Sequence, residues 1–131
     1  MTTIRGMEMI FLMAMVAALA MLGTTTAQTT HQVGESTGWV VPPGSAAAYA
    51  SWTSTKTFRV GDILVFNFST GTHNVAEVTK DAFDNCNISS PISVSTTSPT
   101  TITLSSPGDH FYICTISDHC GFGQKLGINC L

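Results

Sequence analysis

An all-β sandwich or barrel is the fold class that the sequence predicts, on three observations. Apolar and polar residues alternate in short runs; Gly, Pro, Asn and Asp punctuate those runs; and no segment of the main body has a helical period long enough for a crossover helix. Antiparallel pairing follows, because parallel strands need such crossovers.

The N-terminus stands apart from this pattern. All six methionines (Met1, Met7, Met9, Met13, Met15 and Met21) lie within the first 21 of the 131 residues. Arg5 provides a positive start, residues 9–22 are 14 uncharged positions, and Thr25-Thr26-Ala27 supplies a small-residue cleavage site. Fourteen residues are too few for a spanning helix, which needs about 20. Residues 1–27 therefore read as an export signal, in preference to a buried N-terminal helix. The mature domain, residues 28–131, is then 104 residues long and contains no methionine.

The elements of that domain follow in order. Residues 45–54 (SAAAYASWTS) form the one helical stretch. Residues 57–60 lead through Gly61-Asp62 into a strand at 63–68, where Leu64, Phe66 and Phe68 alternate with Ile63, Val65 and Asn67. Residues 69–72 (STGT) turn the chain, 73–79 resume a strand, and 81–87 (DAFDNCN) read as a polar loop. Further strands are predicted at 92–96, 101–104, 110–116 and 125–130. A chain of this size buries roughly two-thirds of its unfolded surface, enough for a modest core.

Composition removes some functions. Only 10% of residues are charged, and five Lys+Arg against eight Asp+Glu give a net charge of −3. No basic surface is available to neutralise phosphates, so nucleic acid is not a partner. Export makes disulfides permissible for the four cysteines (Cys86, Cys114, Cys120 and Cys130). It also makes two sequons, at Asn67 and Asn87, candidate glycan acceptors, Asn87 the better because it lies in the expected loop.

Chemistry concentrates near the C-terminus. Cys114, His119 and Gln124 recur at spacings of five and five, and His73 opens a strand after a glycine-containing turn. A thiolate and two imidazoles with a weak axial Met, Gln or backbone oxygen make the donor set of a blue-copper electron-transfer site. Alone, Cys114 on its apolar strand reads as a small buried hydrophobe, either histidine as a surface imidazole, and Gln124 as a solvated amide. Their joint spacing in an exported all-β chain favours copper. His31 lies near the new N-terminus and His110 starts a strand with no donor at matching spacing, so both read as surface imidazoles. Because the mature chain has no methionine, an axial thioether is excluded, and Gln124 stands where one would sit.

Residues 56–62 (KTFRVGD), 78–86 (VTKDAFDNC) and 111–129 (FYICTISDHCGFGQKLGIN) resemble the plant phytocyanins, most closely their stellacyanin branch. Val33-Gly34 followed by Gly38-Trp39 is similar to the start of that domain, so the resemblance spans nearly the whole mature chain. It implies a cupredoxin-like Greek-key β-sandwich with one or two short helical segments. That sandwich would hold one type 1 copper ion on His73, Cys114 and His119, with Gln124 axial. It also implies a Cys86–Cys120 disulfide beside the metal, and a backbone N–H of Asn74 donating to the Cys114 sulfur. Cys130 departs from the family pattern; it reads as a buried strand residue in preference to an intermolecular bridge. Many relatives continue into a stalk and a lipid-anchor signal, whereas this chain ends at Leu131, as a soluble secreted protein or an incomplete one.

The expected function is single-electron transfer by a secreted, monomeric, extracellular protein (apoplast or cell surface), with a small-molecule or protein redox partner and no membrane span. It is not an enzyme, because four protein donors leave no open position. The competing function is an extracellular interaction module whose copper is incidental or structural. A Cys–His hydrolase using Cys114 and His119 is disfavoured, because a cysteine inside an apolar strand offers no exposed thiolate.

Overall fold

A computed structural model describes residues 27–131; the expected export signal lies outside the described residues, Ala27 apart. One sheet contains β1 (Thr30–Gln32), β2 (Ile63–Phe66) and β5 (Thr100–Thr103) in the order β1-β2-β5. The other contains β3 (Val75–Val78), β4 (Ser93–Ser95), β6 (Gly108–Ile113) and β7 (Lys125–Cys130) in the order β4-β3-β6-β7. Alternation explains their faces: in β2, Leu64 and Phe66 are fully buried while Ile63 and Val65 are partly exposed. Leu64, Phe66 and Leu104 meet Val75, Tyr112, Leu126 and Ile128 across the main core. Trp39 sits within it, 5.0 Å from the rings of both Tyr49 and Phe66. Each such side chain contributes roughly 1.5–3 kcal/mol by leaving water.

Three expectations are corrected here. Pairing is not wholly antiparallel, since β1 runs parallel to β2 with His31 opposite Leu64. The connection between them is long enough because it carries a 3-10 turn (Glu35–Thr37) and the helix α1 (Ala48–Thr53). Second, the expected polar loop at 81–87 is mostly a helix, α2 (Lys80–Asn85). Thr79 caps it by accepting from the Ala82 amide, and Lys80 and Asp84 pair at 2.6 Å one turn apart. Its apolar face, Ala82 and Phe83, covers a second small core of Ala76, Val78, Ile113 and Cys120 on the outer side of the sheet. Burial on that sheet outweighs the polar composition. Third, His31 is not a surface imidazole: it is buried and its Nε2 lies 2.9 Å from Asp62 Oδ2.

Candidate metal centre

Cys114 is the first residue beyond β6, and Lys125 opens β7, so residues 114–124 bridge two neighbouring strands. The bridge closes on itself. The Cys114 amide donates to the Gln124 carbonyl at 3.1 Å and the Gln124 amide to the His119 carbonyl at 3.0 Å. The amides of His119, Phe122 and Gly123 bond the carbonyls of Ile116, Asp118 and Cys120. His73 stands two residues before β3, the strand beside β6.

This framework brings His73, Cys114 and His119 together, with one ligand atom from each lying within 4.8 Å of the others. Cys114 Sγ is 3.5 Å from His119 Nδ1, and the two imidazole rings have centroids 5.0 Å apart. A separation of 3.5 Å suits two donors bonded to one ion at roughly 2.0–2.3 Å each. Cys114 is fully buried and His119 only partly. Burial holds the His73 imidazole below its ordinary pKa and His119 acts in the same direction; the nearby Gln124 amide opposes them. His73 is therefore biased to the neutral form that binds metals.

Among the described residues, three buried side-chain atoms have no hydrogen-bond partner: His73 Nδ1 and both Oε1 and Nε2 of Gln124. A buried polar group left unpaired costs about 1–3 kcal/mol. Unpaired atoms on two of the four sequence-derived donors fit a bound ion, and the soft thiolate with two imidazoles fits copper. His31 and His110 lie outside the group; His110 Nε2 contacts the Ser106 carbonyl at 2.8 Å.

The sequence names Asn74 only for its backbone N–H; the tie that its side chain makes to Thr115 was missed. Asn74 and Thr115 follow the ligand residues His73 and Cys114, and continuing the β3–β6 register sets them opposite each other. The Asn74 amide exploits this: its Nδ2 donates to Thr115 Oγ1 at 2.7 Å, and its Oδ1 accepts from the Thr115 amide at 2.8 Å. Trp39 adds a third tie, its Nε1 donating to the Asn74 carbonyl at 2.8 Å. The signal was an Asn and a Thr at the same offset from two ligand residues, readable only once the strands are paired.

A disulfide joins Cys86, which ends α2, to Cys120, the neighbour of His119, across 34 residues. Closing a loop of that length contributes about 3–4 kcal/mol in the chain-entropy model. Cys130 is buried and unbonded in β7. Of the sequon residues, Asn67 is exposed and its Nδ2 donates to Gln32 Oε1 at 2.8 Å. Asn87 is exposed just past α2, its Oδ1 accepting from the amide and hydroxyl of Ser89.

Comparison with known proteins places these features. Residues 39–124 match the plastocyanin-like domain family. The chain is 50% identical over 103 residues to cucumber peeling cupredoxin of Cucumis sativus, covering 77% of this chain and 74% of that one. It is 47% identical to a blue copper protein of Arabidopsis thaliana over 75% of its own length, and spans half the length of that relative. Among solved structures, cucumber stellacyanin with Cu2+ superposes with a TM-score of 0.74 at 48% identity, over 80% of this chain and 97% of that one.

Proposed function

The chain belongs to the plastocyanin-like domain family, among the plant phytocyanins of stellacyanin type, and from that premise we propose that it is a secreted single-electron carrier. One type 1 copper ion is held by His73, Cys114 and His119, with Gln124 as the axial donor. The observation that carries this reading is the Gln124 amide, fully buried beside His73 with both polar atoms unpaired.

Copper bound there supplies a one-electron Cu(II)/Cu(I) couple. The protein supplies the rest. The Asn74–Thr115 clamp and the closed turns of residues 114–124 hold the donors without help from metal, so little need rearrange when the charge changes. The family resemblance assigns the Asn74 backbone N–H a donation to the Cys114 sulfur, which would tune the thiolate. His119, which is partly exposed, would offer the electron an edge toward a small-molecule or protein partner. Four protein donors leave no position for a substrate, which is why the protein is a carrier and not an enzyme. Residues 1–27 direct export of a monomeric mature domain, 28–131, that works outside the cell and carries glycan at Asn87 or Asn67. Among the described residues, no helix is long and apolar enough to cross a membrane.

Voltammetry of the copper-loaded protein and its Gln124→Met variant tests this reading. An amide oxygen is a harder donor than a thioether and favours Cu(II), so Gln124→Met raises the potential; each 59 mV is a tenfold change in the one-electron equilibrium constant. An unchanged or lower potential overturns Gln124 as the axial donor, and the lack of a one-electron wave in the wild type overturns the carrier.

A further inference from the structure

Immediately before Gln124, the ligand loop presses its backbone onto a distant part of the chain. Gly123 is buried with φ at +107°, a conformation that residues with a Cβ adopt only under strain. A Cβ built there would stand 2.6 Å from Ala46 Cα and 2.8 Å from the Ala46 carbonyl oxygen, so no side chain fits. Ala46 lies in the turn entering α1, where the Ala47 amide bonds Ser45 Oγ and the Ala48 amide bonds the Ser45 carbonyl, both at 3.1 Å. The helix α1 packs in turn on β7, the strand that Gln124 leads into.

The contact is main chain on main chain, and no rotamer change relieves it. On its other side, residue 124 is tied through its own amide and carbonyl to His119 and Cys114. We propose that the Ala46 turn is a backstop for the axial donor, and that Gly123 is a positioning residue whose lack of a side chain sets where the Gln124 amide stands relative to His73, Cys114 and His119. The proposal rests on the copper reading for its consequence, though its geometry involves no metal.

The test compares Gly123→Ala and Ala46→Gly in the wild-type and Gln124→Ala backgrounds. Ala46→Gly serves where Gly123→Ala fails to fold, since the Ala46 methyl is exposed and only the stiffness of the turn is lost. In metal-free protein, the side-chain amide NMR signals of Gln124 shift or broaden in both variants while those of Asn74 stay in place. In copper-loaded protein the blue band persists, and Gly123→Ala changes the Cu(II)/Cu(I) equilibrium constant at least threefold. That change disappears in the Gln124→Ala background. A shift of equal size in both backgrounds, or Gln124 signals that match the wild type in both variants, overturns the backstop. A wild type that never turns blue overturns the copper reading instead, and the metal-free signals still decide the backstop.

Discussion

A Gln amide with neither atom paired, at a position fully shut from water, opposes folding of the metal-free chain. An apolar side chain of similar volume removes that penalty. Gln124→Leu is therefore predicted to stabilise the metal-free protein by about 1–2 kcal/mol, raising its Tm by several degrees for a domain of this size. Thermal unfolding of both proteins after copper removal checks this. A lower Tm for Gln124→Leu would mean that the amide makes compensating bonds in solution. Such a stability cost at one residue is the mark of a side chain kept for binding rather than for packing.

Among the elements, β1, like β4, has only three residues on the edge of a sheet and needs outside support. Asp62 supplies it, its carboxylate accepting from the Thr29 amide at 3.1 Å, the Arg59 amide at 3.0 Å and His31 Nε2 at 2.9 Å. Burial pushes the Asp62 pKa up, but these hydrogen bonds outweigh it and hold the carboxyl below its ordinary value. A carboxyl with a lower pKa folded than unfolded contributes stability above its unfolded pKa, near 4, and loses it as pH falls through the folded value. Asp62→Asn is predicted to lower stability by about 1–3 kcal/mol at pH 7, and the gap to wild type should narrow below about pH 4. Denaturant unfolding from pH 7 down to pH 3 checks it. Curves that stay parallel over that range would show that Asp62 does not anchor β1.

Across the whole molecule, what the sequence disclosed is what repeats locally. The alternation in residues 63–66 marks β2, and the spacing of Cys114, His119 and Gln124 marks the site because one loop between adjacent strands supplies all three. What stayed hidden depends on partners far along the chain. Residues 80–85 (KDAFDN) are polar apart from two side chains, and the second core beneath Phe83 completes the helix that the Thr79 cap and the Lys80–Asp84 pair support. The burial of His31 requires Asp62, the Asn74–Thr115 clamp requires the β3–β6 register, and the Gly123–Ala46 contact requires α1 to lie against β7. The central claim, that these strands exist to hold one copper ion on a thiolate and two imidazoles, is tested most directly by the visible absorption spectrum of the mature protein loaded with Cu(II). An intense blue thiolate-to-copper band is predicted at one copper per chain, lost in Cys114→Ser while the fold is retained. A colourless copper-loaded wild type, or a band that survives Cys114→Ser, would contradict it.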